Sequence, residues 1–311
     1  MSRVLVTGGA GFIGSHLVER LVAEKHEVVV LDCLSTGDPA NLEAVQADIT
    51  FVEGNTLDPD AVAKAMTGVE AVFHTAACAS VNRSIEDPLM SCRENVLATV
   101  GLLKAAADNG ARRFVFSSSA AVYGYAENLP VTEKHPLLPA SPYAQDKVNC
   151  ENYCRLWSKL FNLDTAVLRY FNVYGPRQNP VGVHPGGVTI VINQIRDTGR
   201  SQVLAEGQQT RDMIYVGDIV EANLRAMNSP DDLNGTAYNI CTGSSIVVAD
   251  MHARIGELMG KSSERESIPM PEGNIIDSLG DPSLAREGLR FEASCSLEEG
   301  AKIMGRTTCR V

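Results

Sequence analysis

Short apolar runs alternate with segments of helical periodicity along the first half of the chain. The apolar runs predict five β-strands, at residues 4–6, 27–31, 51–53, 70–74 and 113–116. The periodic segments predict helices between them, at residues 12–25, 58–66 and 87–109. This alternation predicts an α/β fold, a Rossmann doubly wound parallel sheet with helices on both faces and its ligand site at the carboxyl ends of the strands.

The glycine-rich turn after the first strand predicts a nucleotide site. The sequence Thr-Gly-Gly-Ala-Gly-Phe-Ile-Gly connects that strand directly to the first helix. Gly8 supplies the backbone conformation of the turn, Gly11 leaves the backbone open to a ligand, and Gly14 lets the helix pack closely. The N–H groups at the helix start, around Phe12 and Ile13, then favour a pyrophosphate. A flexible turn would explain the glycines alone, but the strand–turn–helix context favours dinucleotide binding.

An acidic residue ends the second strand. Asp32 follows Gly14 by 18 residues, close to where a dinucleotide-binding unit places the carboxylate that accepts both ribose hydroxyls. Because a carboxylate there repels a 2′-phosphate, Asp32 favours NAD over NADP, and a helix cap or turn aspartate is the alternative. Ser35, Thr36 and Gly37 follow as a loop.

The second half of the chain predicts helices at residues 185–196, 216–227, 246–258 and 296–304. We expect an NAD-binding Rossmann domain over residues 1–171, to which residues 217–242 return. Residues 172–216 and 243–311 are then expected to form a smaller C-terminal substrate-binding domain over the sheet edge. The cleft between the two domains is the expected site.

A serine cluster and a Tyr-x-x-x-Lys motif supply candidate chemistry. Ser117, Ser118 and Ser119 follow the fifth strand, at the sheet edge where a doubly wound fold places its site. Tyr143 and Lys147 are four residues apart on the next predicted helix and share one face of it. Because an ammonium beside a phenol lowers the pKa of the tyrosine, the pair predicts a general base. A pair of surface residues is the alternative.

Composition restricts the class of protein. The 311 residues are 44% apolar and 21% charged, as in ordinary globular proteins, and the net charge of −11 argues against nucleic acid as a partner. No apolar run approaches the ~20 residues of a membrane-spanning helix, and we expect no signal peptide before the first strand. The eight cysteines form no C-x-x-C pair, so we expect reduced thiols, no metal site and a cytoplasmic protein.

The motifs together resemble those of the extended short-chain dehydrogenases/reductases of the NAD-dependent epimerase/dehydratase family. Within that family, the sequence is similar to UDP-glucose 4-epimerases and related nucleotide-sugar epimerases. The resemblance covers nearly the whole chain. Its further motifs are Leu34-Ser35-Thr36-Gly37, Phe73-His74, Asn95-Val96, Ser117–Gly124, residues 168–177, Gln209-Thr210-Arg211-Asp212, Tyr238-Asn239-Ile240 and Thr242-Gly243.

The resemblance implies roles for individual residues. Ser119 matches the residue that hydrogen-bonds the sugar 4-hydroxyl, Tyr143 the catalytic base, and Lys147 the residue that holds the nicotinamide ribose and lowers the tyrosine pKa. Asn172 and Arg211 match residues at the substrate diphosphate, and a guanidinium suits phosphate oxygens. Further implied cofactor contacts are Ser35, Thr36, Gly37, Asn55, Thr56, Ala76, Ala77, Asn95, Ser117 and Tyr170. Further implied substrate contacts are Ala79, Ala120 and Ser278.

The chain departs from the family pattern at four positions, two of which, Asn55 and Ser278, are among the implied contacts. Cys33 and Asn55 stand at the rim of the cofactor site, where relatives often carry Asn and Asp. Met270 stands where relatives tend to carry an arginine on the nucleotide diphosphate. Ser278 stands where a bulky tyrosine is linked to epimerases restricted to non-acetylated sugars, so a serine there suggests room for an N-acetyl group.

The implied activity is NAD-dependent 4-epimerisation of a UDP-sugar, UDP-glucose/UDP-galactose or their N-acetyl forms, through a transient 4-keto sugar. A nucleotide-sugar 4,6-dehydratase or decarboxylase of the same family is the alternative, but Ala120 and Ala121 stand where dehydratases usually carry Asp-Glu. Asp32 disfavours a reductase that consumes NADPH, and the complete catalytic set disfavours a non-catalytic nucleotide-binding protein. The family also suggests a homodimer formed by the helices around residues 90–109 and 143–160.

Overall fold

The computed structural model describes residues 1–179, 187–261, 264–269 and 276–306. Its centre is a seven-stranded parallel sheet. The first six strands are β1 (Arg3–Thr7), β2 (Glu27–Asp32), β3 (Ile49–Glu53), β4 (Ala71–His74), β5 (Arg113–Ser119) and β6 (Asp164–Tyr170). The later strands are β7 (Asn172–Tyr174), β8 (Arg200–Leu204), β9 (Thr210–Arg211), β10 (Met213–Tyr215), β11 (Thr236–Ile240), β12 (Ile246–Val247) and β13 (Glu264–Ile268).

The order of the strands places the ligand crevice of the sheet. Across the sheet the strands run β11-β6-β5-β4-β1-β2-β3, so the chain winds outward in both directions from β1. The strand order therefore reverses between β1 and β4, whose carboxyl ends meet where Thr7 pairs with His74. Open parallel sheets bind their ligands at such a switch point. The predicted Rossmann doubly wound fold is confirmed.

The helices cover both faces of the sheet. They are α1 (Phe12–Ala23), α2 (Pro59–Met66), α3 (Val81–Glu86), α4 (Pro88–Cys92), α5 (Ala98–Asp108), α6 (Pro142–Leu160), α7 (Gly187–Thr198), α8 (Val216–Asn228), α9 (Val248–Leu258), α10 (Ser283–Leu289) and α11 (Leu297–Arg306). Because strand side chains alternate, Val4 and Val6 face the core that contains Leu17 of α1, whereas Leu5 faces the core that contains Leu102 of α5.

Two predicted elements of the first half differ most from their bounds in the structure. The fifth strand continues to Ser119, because Ser117–Ser119 pair with the last residues of β6. The long helix predicted over residues 87–109 is interrupted by a π-helical turn at Arg93–Leu97, between α4 and α5. Such turns are rare and often occur at functional sites. The sequence pattern alone predicted neither detail.

A smaller layer lies beyond the carboxyl ends of the strands. It contains three two-stranded pairings, β7 with β10, β9 with β12 and β8 with β13. Helices α7 and α9 share a core that includes Val188, Ile192 and Ile255. The helix predicted over residues 246–258 begins two residues later, after β12, and the one predicted over residues 185–196 is described only from Gly187. The chain returns from this layer to the main sheet as β11, which pairs with β6.

In the part of the chain that the structure describes, no helix is both long and apolar enough to span a membrane.

Candidate active site

The turn between β1 and α1 is as tight as its glycines predict. Gly8 has a φ of +69°, and a Cβ added there would lie 2.7 Å from the backbone nitrogen of Ala76. A Cβ added at Gly14 would lie 2.1 Å from the carbonyl oxygen of Gly8, so α1 begins in direct contact with the turn. No side chain caps α1 at Gly11. The first N–H groups of the helix, including those of Phe12 and Ile13, therefore suit an anionic ligand such as a pyrophosphate.

Asp32 is fixed at the end of β2 by backbone hydrogen bonds. Its Oδ2 accepts from the N–H of Ala10 at 2.9 Å, and its Oδ1 accepts from the N–H of Leu34 at 2.8 Å. A Cβ added at Gly37 would lie 3.1 Å from both carboxylate oxygens. The hydrogen bond to Leu34 agrees with the alternative prediction, that Asp32 is a turn aspartate. The carboxylate also lies beside the glycine turn, however, where a cofactor ribose is expected.

The rim of the predicted cofactor site is less constrained. Ser35 and Thr36 are exposed in the loop after β2. Asn55 is exposed after β3, and its Oδ1 accepts from the N–H of Leu57 at 2.8 Å, while Thr56 is half-buried beside it. The carboxamide of Asn55 is thus already used in its own turn.

The loop after β4 lies against the glycine turn. Ala76, Ala77 and Ala79 are half-buried there. The side chain of Asn95, from the π-helical turn, is 97% buried, with 3% exposed, and its Oδ1 accepts from the N–H of Cys78 at 2.9 Å. Asn95 therefore binds this loop from the protein interior. It supports the loop and does not offer a surface that a cofactor could contact.

The structure brings Ser119 and Tyr143 together. Ser119 ends β5, and Tyr143 lies in the first turn of α6, which Pro142 begins and Ser141 caps through the N–H of Ala144. The Ser119 hydroxyl hydrogen-bonds the phenol of Tyr143, and this bond lowers the pKa of the phenol. Burial has the larger effect and raises the pKa of Tyr143 to about 12. The expected lowering by Lys147 is not what this structure shows.

Lys147 is buried one turn further along α6. Its Nζ donates to the carbonyl oxygen of Ser117 at 2.7 Å and lies 4.7 Å from the ring centroid of Phe116 and 5.8 Å from that of Tyr143. Burial lowers the pKa of the Lys147 ammonium, and neighbouring acidic groups, including Asp146, oppose this effect. The ammonium is thus held at the carboxyl end of β5 by the backbone of Ser117.

Tyr170 occupies a buried position at the end of β6. Its hydroxyl lies 3.1 Å from the Ser117 hydroxyl and accepts from Nδ2 of Asn223 at 2.8 Å. Burial raises the pKa of Tyr170 to about 12. Tyr170 and Ser117 therefore support each other under the end of β5. Asn223, which comes from α8 in the second half of the chain, was not predicted from the sequence.

A buried ion pair behind the serines was also not predicted. Glu151 of α6 and Arg169 of β6 form two hydrogen bonds, of 3.0 and 2.6 Å, and the Ser118 hydroxyl donates to Glu151 at 2.6 Å. Arg169 also donates to the Tyr123 hydroxyl at 2.9 Å. This network joins α6 to the ends of β5 and β6, which carry the candidate catalytic groups. Glu151 follows Lys147 by one helical turn, which is the only signal that the sequence offered.

Asn172, Arg211 and Ser278 form a second group in the smaller layer. Nδ2 of Asn172 donates to the carbonyl oxygen of Asp212 at 2.9 Å and to the Ser278 hydroxyl at 3.3 Å. Nη1 of Arg211 donates to the carbonyl oxygen of Ile276 at 2.9 Å, two residues before Ser278. Burial lowers the pKa of Arg211, and Asp277 opposes this effect.

The remaining predicted positions have simple outcomes. Ala120 begins the 3₁₀ turn Ala120–Tyr123, directly after Ser119. Met270 lies outside the described residues. The described residues contain no group of three side chains that could hold a metal ion.

Comparison with known proteins agrees with this geometry. Residues 4–241 match the NAD dependent epimerase/dehydratase family. The UDP-glucose 4-epimerase of Mycolicibacterium smegmatis is 38% identical over 308 residues, which cover 96% of each chain.

Two solved structures have nearly the same fold along almost their whole length. The UDP-glucose 4-epimerase of Thermotoga maritima with UDP-glucose has a TM-score of 0.91 at 35% identity, with 97% of each chain covered. The UDP-N-acetylglucosamine 4-epimerase of Methanobrevibacter ruminantium, in complex with UDP-N-acetylmuramic acid, has a TM-score of 0.93 at 32% identity, with 98% of this chain and 97% of that one covered. The protein belongs to the NAD-dependent epimerase/dehydratase family.

Proposed function

We propose that the protein is an NAD-dependent 4-epimerase of a UDP-sugar. The observation that carries the proposal is the hydrogen bond between the Ser119 hydroxyl and the Tyr143 phenol, next to the switch point of a dinucleotide-binding sheet. Relatives and structural neighbours that are UDP-sugar 4-epimerases over nearly their full length support it. The enzyme is therefore an isomerase.

The residues present fit NAD. An uncapped helix start after a glycine turn suits a pyrophosphate, and the Asp32 carboxylate, held at the end of β2, suits ribose hydroxyls. Lys147 is placed by Ser117 at the end of β5, where it can reach a nicotinamide ribose. When bound, NAD supplies a hydride acceptor for the sugar C4 and a positive ring charge.

The chain's own residues provide the acid–base chemistry. The Ser119 hydroxyl can hydrogen-bond the sugar 4-hydroxyl and pass its proton towards Tyr143, which acts as the base. A nearby positive charge favours the phenolate and so opposes the burial that raises the pKa of Tyr143. After C4 has lost its hydride and the 4-keto sugar has presented its other face, the phenol returns the proton to the 4-oxygen as the hydride would return to C4, which restores the 4-hydroxyl with the opposite configuration.

The sugar and its diphosphate are assigned to the smaller layer. Asn172 and Arg211 both contact the segment that carries Ser278, and a guanidinium suits phosphate oxygens. Ser278 is small and only half-buried, so we propose that an N-acetyl group is accommodated beside it. The main sheet then holds the cofactor and the smaller layer holds the substrate.

We also propose a homodimer. Helices α5 and α6 pack side by side, and the exposed leucines here are Leu97, at the end of the π-helical turn before α5, and Leu156 and Leu160 of α6, which are 57%, 45% and 67% exposed. Exposed apolar patches of this kind mark interfaces between proteins. Leu97→Asp is expected to convert the dimer to monomer, measured as a halved molar mass in light scattering. A Leu258→Asp control, on the smaller layer at 37% exposure, is expected to keep the dimer; an unchanged mass for Leu97→Asp contradicts this interface.

The test of the activity uses purified protein with no added cofactor. UDP-glucose, UDP-N-acetylglucosamine and UDP-glucuronate are each incubated with it, and the products are analysed by NMR. A 4-epimer of unchanged mass is expected, abolished in Tyr143→Phe and retained in Tyr153→Phe, which removes a hydroxyl from the same helix. Loss of water or carbon dioxide would show a dehydratase or decarboxylase instead, and no product even with added NAD would refute the proposal.

A further inference from the structure

Asp146 is a buried acid that lies between the two catalytic candidates on α6. Its side chain is 4% exposed, although Tyr143 and Lys147 on either side supply the chemistry. Its Oδ2 accepts two hydrogen bonds, one from the Ser91 hydroxyl at 2.6 Å and one from Nδ2 of Asn95 at 3.1 Å. Burial of a carboxylate is costly unless well-placed hydrogen bonds replace its contacts with water. The presence of a buried carboxylate with these two partners therefore calls for a physical explanation.

The second partner leads to the loop that follows β4. Asn95 accepts from the N–H of Cys78 at 2.9 Å and donates to the carbonyl oxygen of Cys78 at 3.2 Å. Both backbone polar groups of one loop residue are therefore bound by a single carboxamide. Cys78 lies between Ala77 and Ala79 in this loop, which also contacts Gly8 of the glycine turn through Ala76.

An ionised carboxylate can only accept hydrogen bonds, and this fixes the orientation of Asn95. A carboxamide can turn over and exchange its oxygen for its NH₂ group. In the reversed orientation the oxygen of Asn95 would face Oδ2 of Asp146, and its NH₂ group would face the N–H of Cys78. Both contacts would be repulsive, so Asp146 permits only the orientation that binds Cys78.

The same helix holds the other end of the loop. The N–H of Tyr143 donates to the Ser84 hydroxyl at 3.1 Å, and Ser84 belongs to α3, which begins directly after the loop. The loop is thus attached to α6 at two points, through Asn95 and through Ser84. A displacement of the loop relative to Tyr143 has to break one of these attachments.

We propose that Asp146 is a positioning residue, which sets the loop at residues 75–79 against the cofactor and the sugar by fixing the carboxamide of Asn95. The identity of the ligands in this inference rests on the proposed function, whereas the loop contacts are observed independently of that function. Asp146 touches neither ligand in this proposal and transfers no proton. Its effect is on the distance between the loop and the catalytic tyrosine.

The test replaces the carboxylate by a group of the same shape that can also donate. In Asp146→Asn, the Asn95 NH₂ group loses its charged acceptor and only Cys78 still favours the observed orientation, so amide hydrogen exchange in the peptide around Cys78 is expected to become faster by about tenfold, the size of one charge-assisted hydrogen bond. The affinity of the NAD-free protein for NAD, measured by calorimetry, is expected to fall by a similar factor. The kcat at saturating NAD and UDP-sugar is expected to fall as well.

The matched control is Asp218→Asn. Asp218 is also 4% exposed, and it binds the backbone N–H groups of Ser294 and Cys295 instead. It is expected to leave the exchange around Cys78 and the affinity for NAD unchanged. A second variant, Asp146→Asn with Asn95→Asp, exchanges donor and acceptor between the two side chains; it keeps an acceptor for the N–H of Cys78 and gives up only the longer contact, at 3.2 Å, to the Cys78 carbonyl oxygen. It is expected to recover part of the lost protection and affinity.

Each outcome decides the matter. Unchanged exchange around Cys78 in Asp146→Asn overturns the proposal, as does the same acceleration in Asp218→Asn, which would indicate general destabilisation. Faster exchange with an unchanged affinity for NAD and an unchanged kcat also overturns it, because the loop would then not serve the site. If the exchange and the affinity change as expected but the parent enzyme epimerises no UDP-sugar, the proposed function fails and the role of Asp146 stands.

Discussion

Replacement of Gly14 by alanine tests whether the glycine turn is the cofactor's phosphate site. The added Cβ would lie 2.1 Å from the carbonyl oxygen of Gly8 and 2.8 Å from the Cα of Gly9. Relief of the first contact to about 3.0 Å requires a movement of nearly 1 Å in the backbone of the turn. Because that backbone would hold the pyrophosphate, we expect the affinity for NAD to fall by at least about tenfold.

The same contact has a cost in the folded protein. Overpacking of this kind typically destabilises by about 1–3 kcal/mol, against a gain of up to about 1 kcal/mol from the better helix propensity of alanine. Gly305→Ala provides the control, since a Cβ added there in α11 has no atom within 4 Å. It is expected to leave NAD binding unchanged and to stabilise slightly.

The assays are calorimetric titration of the NAD-free protein with NAD and urea unfolding of the same samples. Gly14→Ala is expected to show weaker binding and a lower unfolding midpoint, and Gly305→Ala to show neither. If Gly14→Ala bound NAD with the affinity of the parent protein, the assignment of this turn to the pyrophosphate would be refuted. If it unfolded at the parent midpoint, the contact would be relieved more easily than the structure indicates.

Three further predictions concern the catalytic groups and their support. Tyr143→Phe removes the base and is expected to lower kcat by about 10²–10⁴-fold while NAD stays bound, and retained turnover would contradict that role. Ser119→Ala removes the hydrogen bond that lowers the pKa of Tyr143; since the base must be deprotonated, the acid limb of the pH–kcat/KM profile is expected to move to higher pH, and a fixed limb would contradict this. Glu151→Gln leaves Arg169 as a buried charge without its carboxylate and is expected to cost about 3–5 kcal/mol in urea unfolding, which a loss below 1 kcal/mol would refute.

The sequence predicted five of the seven strands of the main sheet because their signal is local, and it predicted neither β6 nor β11 as a strand. The strand runs in the first half are apolar on both faces, as buried parallel strands must be, and glycine and polar residues separate them from the helices. The second half of the chain carries a weaker signal for its strands. Strands such as β9 and β12 have two residues each, and so short a strand exists only through its partner and leaves no periodic pattern.

The residues of the candidate site likewise divide into those that local sequence predicts and those that only the fold brings together. Gly8, Gly14 and Asp32 were assigned from short-range spacing, and their backbone geometry agrees with it. Asn223 and Arg169 support the site from distant parts of the chain. Spacing carries no information about such partners, because the fold alone determines which buried hydroxyl or carboxylate they meet.

Tyr143 shows why the motif could not by itself give the chemistry. Four-residue spacing places Tyr143 and Lys147 on one face of a helix. This spacing lowers the pKa of the tyrosine only if the ammonium lies close to the phenol oxygen and burial does not outweigh its effect. In the fold, burial dominates and raises the pKa of Tyr143 to about 12, while Lys147 is bound to the backbone of Ser117. We therefore expect the phenol to stay protonated, and so unable to accept a proton, until the positive ring charge of bound NAD lowers its pKa. Such an arrangement couples deprotonation of the sugar hydroxyl to the presence of a hydride acceptor, so that a sugar is not activated where it cannot be oxidised.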